Sequence, residues 1–298
     1  PPRSTLSSSS AASDVYKRQN MNIVIIGTGY VGLVTGVGLA NLGNTVDFID
    51  LDENKIKDLS SKKITFYEPG LEEYFNNDET FKRMSFSSDY TSIEWENIDI
   101  VFVCVQTPNN IETNSVDTKF LESAIKEINN VNNNDLVITV KSTIPPYEIE
   151  KVCEKVGMDS SKLTFNPEFL REGTAVEDFF KPDRIILGGA DKEKLNKLIE
   201  LYSEFECEII TTDSISSQLI KYLANTYLPL RLSFVNEATR LIDYSGGNLD
   251  DVLKGVGLDN RIGQHYFRPS PSWGGSCFPK DLVAVSYTHL TLPTKRIV

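Results

Sequence analysis

The sequence predicts a doubly wound α/β sheet followed by one long helix, on three observations. A short apolar strand runs into Gly27-Thr28-Gly29-Tyr30-Val31-Gly32, which opens a helix. Further apolar strands alternate with helical stretches, as in a parallel sheet covered on both faces. After residue 213 the pattern changes to some thirty residues of helical periodicity.

Taken in order, Asn22–Ile26 reads as the first strand, and residues 31–42 as a helix that Gly43-Asn44 ends. Thr45–Ile49 is the second strand, with Asp50 at its carboxyl end. Residues 98–105 form a continuous apolar run of the buried parallel type. A helix is expected over 118–129 and a strand over 136–141, with 162–166 and Arg184–Gly188 as further strand candidates. From 214 to 244, Leu219, Tyr222, Leu223, Tyr227, Leu230, Phe234, Ala238 and Leu241 recur at helical spacing, and Pro229 is placed to kink that helix.

The ends do not match this pattern. Residues 1–19 are Ser-rich and aperiodic, with no apolar core of a signal peptide, and Met21 reads as the start. After Val285 the chain turns to Ser286-Tyr287-Thr288, which continues no helix. The expectation is four segments: tails foreign to the fold at 1–20 and 286–298, a dinucleotide-binding domain over 21–212, and a helical central domain over 213–285.

At 298 residues the chain has room for two domains of about 150 residues each. A net charge of -12 argues against nucleic acid and anionic membrane surfaces as partners. No apolar run approaches the roughly 20 residues of a membrane helix. Cys104, Cys153, Cys207 and Cys277 are far apart, which points to a reduced, cytoplasmic setting rather than a disulfide framework. No metal-ligand spacing is present, and the two histidines, His265 and His289, are poorly placed for a proton relay.

The glycine turn carries a dinucleotide signature. Gly27 suits the tight turn, Gly29 lets a pyrophosphate approach the backbone, and Gly32 allows close helix–strand packing, with Tyr30 and Val31 between them. Asp50 can accept both ribose hydroxyls, which selects NAD over NADP. Lys55, one turn further on, either reaches the cofactor or stands as a surface lysine. Thr107, beyond the 98–105 run, is a cofactor neighbour because ligands bind at the carboxyl ends of such strands. Cys104 reads as core.

The chemistry centres on Gly274-Gly275-Ser276-Cys277-Phe278-Pro279-Lys280-Asp281. Open backbone before Cys277 and charges of both signs after it make the setting of a nucleophile. A thiol beside a nicotinamide suggests oxidation through a thiohemiacetal and a thioester. Lys221 and Asn225, four residues apart, share one helix face.

With the fingerprint, the runs at 166–173 (NPEFLREG) and 274–281 (GGSCFPKD) make residues 21–285 resemble the UDP-glucose/GDP-mannose dehydrogenase family, and Phe278 is similar to its UDP-glucose branch. The resemblance implies Cys277 as the nucleophile, Lys221 and Asn225 as oxyanion stabilisers, and Asp281 as the carboxylate that activates water or the thiol. It implies Thr143 and Glu172 beside the nicotinamide and Glu168 in water handling. Phe169, Leu170, Tyr266 and Gly274 become substrate contacts, and Arg261 is lent to the sugar site by a partner subunit of a homodimer built on the long helix. The implied reaction oxidises the C6 alcohol of UDP-glucose twice, with two NAD⁺ and one water. Gln106 and Pro146-Tyr147 depart from the family pattern. The family also has a second Rossmann-like domain for the UDP moiety, and the sequence stops before it, so the expectation is NAD binding with poor turnover. Another nucleotide sugar, a single-step hydroxyacid dehydrogenase, and an inactive NAD-binding module remain alternatives.

Overall fold

The computed structural model describes residues 20–110, 115–131, 135–271 and Asp281. Cys277, Gly274 and nearly all of both expected tails lie outside the described residues. The strands are β1 (Asn22–Ile26), β2 (Thr45–Ile49), β3 (Met84–Ser87), β4 (Ile100–Val103), β5 (Asn109–Asn110), β6 (Ser115–Val116), β7 (Val137–Val140), β8 (Leu163–Phe165), β9 (Arg184–Gly188) and β10 (Glu208–Thr212). The helices are α1 (Tyr30–Asn41), α2 (Glu53–Ser60), α3 (Leu71–Asn76), α4 (Asp78–Phe81), α5 (Lys119–Asn129), α6 (Pro146–Val156), α7 (Ala175–Phe180), α8 (Lys192–Leu201), α9 (Ser214–Ser245) and α10 (Leu249–Gly257).

Among the described residues, one eight-stranded sheet runs in the order β10-β9-β8-β7-β4-β1-β2-β3, and β5 and β6 form a separate antiparallel pair. From β3 to β8 every neighbour is parallel, with Ile26 level with Ile49 on one side and with Val103 on the other. The strand order reverses between β1 and β4, which opens a crevice at their carboxyl ends, where ligands bind in such sheets.

The parallel pattern breaks at β8 and β9, which meet antiparallel through Phe165 and Gly188. The connecting segment contains only the six-residue α7, which packs against α1. The chain therefore enters β9 from the edge of the sheet at which it left β8.

The apolar residues of β1 alternate between two cores. Ile23 and Ile25 pack with Leu33 and Val37 of α1, while Val24 and Ile26 pack with Leu121 and Ile125 of α5 and Val152 of α6. Burying each such side chain stabilises by about 1.5–3 kcal/mol. Helix α1 lies close to the sheet because Gly36 has no side chain; a Cβ there would stand 2.4 Å from the Phe48 ring. Helix starts carry the residue types that satisfy free N–H groups: Asp52, Asp191 and Asp213 accept from the first turns of α2, α8 and α9.

Helix α9 spans 32 residues, ends at the left-handed Gly246, and contains Pro229 without being terminated by it. Its stripe divides. Tyr222 is buried, but Leu219, Leu223, Tyr227, Leu230, Phe234 and Leu241 are exposed. No helix among the described residues is long and apolar enough to cross a membrane.

Candidate active site

The turn after β1 is built by steric necessity at two glycines and open space at a third. Gly27 adopts φ +95°, and a Cβ there would lie 2.8 Å from the Cys104 carbonyl oxygen. A Cβ on Gly32 would stand 1.9 Å from Gly27 O. Gly29 differs, for nothing lies within 4 Å of where its Cβ would be. That open space adjoins the N-terminus of α1, whose free N–H groups and positive dipole end suit a pyrophosphate.

Asp50, at the end of β2, is held in place before any ligand arrives. Its Oδ2 accepts from Thr28 N at 2.8 Å, Thr28 Oγ1 at 2.7 Å and Lys55 Nζ at 3.1 Å, and its Oδ1 accepts from Asp52 N at 3.1 Å. Burial alone would raise its pKa, but the Thr28, Asp52 and Lys55 donors outweigh it and hold the carboxyl below the usual range. Oδ1 keeps acceptor capacity for a ribose hydroxyl. Lys55 is thus paired with Asp50 rather than being a free surface lysine. Open backbone at Gly29 and a fixed carboxylate at the next strand end fit a dinucleotide. Across the crevice, buried Thr107 donates to Thr143 O at 2.8 Å and Ser142 Oγ to Val105 O at 2.6 Å, which lock the loops after β4 and β7 together.

Beside this turn lies a cavity of about 1160 Å³, walled by the 166–174 segment, the start of β9, α9 and His265-Tyr266. Lys221 on α9 enters it and pairs with Glu168, Nζ to Oε1 at 2.9 Å, with both side chains buried. Glu168 Oε2 accepts from Leu170 N at 2.8 Å. Burial would push this carboxyl up, yet the Lys221 charge and hydrogen bond, the Leu170 amide and Lys141 together hold it below the usual glutamate range. The Phe169 ring is flanked by two cations, Arg184 at 3.9 Å and Lys221 at 5.1 Å from its centroid. One turn along α9, Asn225 Nδ2 donates to Asp281 Oδ2 at 2.7 Å, and both are buried.

A second buried cation lies deeper. Lys141, at the end of β7, donates to Asn166 Oδ1 at 2.9 Å, and Tyr202 OH donates to the same oxygen at 2.7 Å. Burial pushes the Lys141 ammonium down to about 8, with Lys221 adding to the effect and Cys104 and Glu168 opposing it. Burial pushes the Cys104 thiol up to about 12, which leaves it inert and in keeping with a core residue.

The structure therefore brings Glu168, Phe169, Leu170, Glu172, Lys221, Asn225 and Tyr266 to one cavity, with Asp281 on Asn225. Tyr30 begins α1 with its hydroxyl 2.9 Å from Glu68 Oε2 and 2.8 Å from Arg171 O. Arg261 is exposed, pairs with Asp259 at 2.6 Å, and lies outside the cavity walls. Sequence reasoning passed over Glu68, Lys141 as a buried cation, and Tyr202. Glu68 sits in Tyr67-Glu68-Pro69-Gly70, which reads as an ordinary polar turn, and nothing local marks it as buried.

Comparison with known proteins agrees with this layout. Residues 21–206 match the NAD binding domain of the UDP-glucose/GDP-mannose dehydrogenase family, and residues 215–295 match its central domain. The chain is 40% identical over 271 residues to a UDP-glucose 6-dehydrogenase of Rickettsia felis, covering 89% of this chain and 60% of the relative. It is 38% identical over 273 residues to a UDP-glucose 6-dehydrogenase of Bacillus subtilis, covering 89% and 61% respectively. A UDP-glucose dehydrogenase structure from Pyrobaculum islandicum superposes with a TM-score of 0.83 at 34% identity, over 91% of this chain and 64% of that one. A GDP-mannose dehydrogenase from Pseudomonas aeruginosa gives 0.75 at 29%, over 90% and 64%. The chain thus spans about 60% of the length of the curated relatives it matches. An NAD-binding doubly wound sheet, a long central helix and matching motifs at the carboxyl ends of the strands assign this chain to the UDP-glucose/GDP-mannose dehydrogenase family.

Proposed function

We propose that the chain contributes the cofactor site and the reacting centre of a dehydrogenase that oxidises the C6 alcohol of UDP-glucose to the carboxylate of UDP-glucuronate. Residues 21–212 would form the NAD-binding unit and 213–285 the central unit. The observation that carries the reading is the buried Lys221–Glu168 pair, one helical turn from the Asn225–Asp281 bond, beside the dinucleotide turn. The name shared by the more similar relatives favours UDP-glucose over GDP-mannose.

NAD⁺, when bound at Gly29 and Asp50, supplies the hydride acceptor. Lys221 keeps two further N–H donors beyond the one on Glu168, and Asn225 keeps one beyond the one on Asp281. These donors converge on an oxygen that gains negative charge. Glu168 holds Lys221 in place, and Asp281 orients the Asn225 amide. Cys277, outside the described residues, is assigned capture of the C6 aldehyde as a thiohemiacetal. Its oxidation to a thioester and cleavage by water would release the carboxylate and the thiol. The exposed apolar stripe of α9 would be covered by a second copy of the chain, which would also bring Arg261 to the partner's sugar site.

The test is NADH yield from the whole dehydrogenase to which this chain contributes, with UDP-glucose, GDP-mannose and UDP-N-acetylmannosamine offered separately. Two NADH per UDP-glucose, lost in Cys277→Ser, supports the reading. One NADH per substrate, indifferent to Cys277→Ala, would sink it.

A further inference from the structure

Glu68, in the turn between α2 and α3, is 4% exposed, yet among the described residues it forms no ion pair. A buried carboxylate without a cation is costly unless polar donors replace its water. Three donors do so. Oε2 lies 2.9 Å from both Tyr30 OH and Gly173 N, and Oε1 accepts from Ala175 N at 2.7 Å. The Tyr30 oxygen is also 2.8 Å from Arg171 O, so its single proton serves two acceptors. Burial, and then the hydrogen bond to Glu68, raise the Tyr30 phenol well above its ordinary value and keep it protonated.

These bonds join two parts of the site that are far apart in sequence. Tyr30 opens α1 immediately after Gly29, where the dinucleotide turn is open. Arg171, Gly173 and Ala175 bracket Glu172, which lines the cavity. Gly173 adopts φ +92°, so the bracketed segment also depends on a left-handed backbone at that point. One carboxylate from a third segment therefore fixes the acidic loop against the first turn of the cofactor helix.

We infer that Glu68 is a positioning residue: with Tyr30 it straps residues 171–175 to α1, so that dinucleotide binding and the ordering of the Glu172 segment are coupled. This deepens the NAD reading of the turn and rests on it. A strap that orders the loop lowers the cost of binding, and by reciprocity the bound dinucleotide stabilises the strap. A purely structural Glu68 would lower stability and leave both effects at zero.

The experiment follows NADH binding by fluorescence titration, and amide hydrogen exchange at Gly173 and Ala175 with and without NADH. It compares the wild-type protein with Glu68→Gln, Tyr30→Phe and the double variant. The expected result is slower exchange at both amides when NADH binds the wild type. Each single variant should bind NADH about fivefold or more weakly, and the double variant should be no weaker than Glu68→Gln alone. Tyr30→Phe keeps the carboxylate and both amide bonds, so it carries the test if Glu68→Gln does not fold. Wild-type affinity in the variants, with exchange indifferent to NADH, overturns the strap while leaving the NAD site standing. A wild-type protein that binds no NADH overturns the NAD reading, and the strap with it.

Discussion

Lys221 Nζ stands 2.9 Å from Glu168 Oε1, and both side chains are more than nine-tenths buried. A pair this far from water is held together by mutual need. Removing either partner leaves a charge that neither solvent nor protein compensates. Lys221→Met is expected to cost about 3–5 kcal/mol of stability, and adding Glu168→Gln to it should recover much of the loss. Denaturant midpoints of the four proteins in this cycle measure it. Additive losses would show that the two groups do not depend on one another.

The same pair sets an acid limit. The folded Glu168 carboxyl titrates below its unfolded value, which is about 4.3. Its contribution is therefore fully present above that value and is lost as pH falls through the lower folded one. Unfolding free energy measured from about pH 6 down to about pH 3 should fall less steeply in Glu168→Gln than in the wild type.

Lys141 works in the opposite direction. Its folded value is about 8 and its unfolded value about 10.4. Between the two, the unfolded chain holds a proton that the folded chain has released, so this residue makes stability rise with pH. The stability difference between the wild type and Lys141→Met should shift in favour of the wild type across that window. A lysine Cε resonance titrating near 8 would identify the group directly; a midpoint near 10.4 for every lysine would refute the burial argument.

Two glycines of the turn should fail for different reasons. Gly32→Ala drives a Cβ to 1.9 Å from Gly27 O, so the helix start must move and the thermal midpoint should drop by several degrees (about 2–4 °C per kcal/mol in a domain of this size). Gly29→Ala meets nothing within 4 Å, so the fold should tolerate it. The added methyl would stand where a pyrophosphate approaches, and NADH affinity should fall about tenfold or more. Equal loss of stability in both variants would contradict this division.

Leu223, Tyr227 and Phe234 lie exposed along α9, on the face proposed to meet a second copy. Phe234→Glu should shift the sedimentation coefficient from dimer to monomer, because a charge at the centre of an apolar contact has no partner. A wild-type protein that sediments as a monomer at every concentration would remove the dimer from the proposal.

Much of this protein was readable along the chain. Short, largely apolar runs marked β1, β2, β4 and β7, the spacing of Gly27, Gly29 and Gly32 marked the cofactor turn, and the four-residue step from Lys221 to Asn225 placed both on one face of a helix. Such patterns are local, because backbone periodicity and steric limits act over a few residues. The two edge strands β3 and β10 escaped notice because their short, largely polar sequences lack the apolar run of a buried strand. The antiparallel entry of β9, the closure of Glu68 on Gly173 and Ala175, and the burial of Lys141 against Asn166 have no local signature at all. Each depends on segments far apart in sequence meeting in space, and the titration of Glu168 and Lys141 follows from that meeting rather than from the residue type.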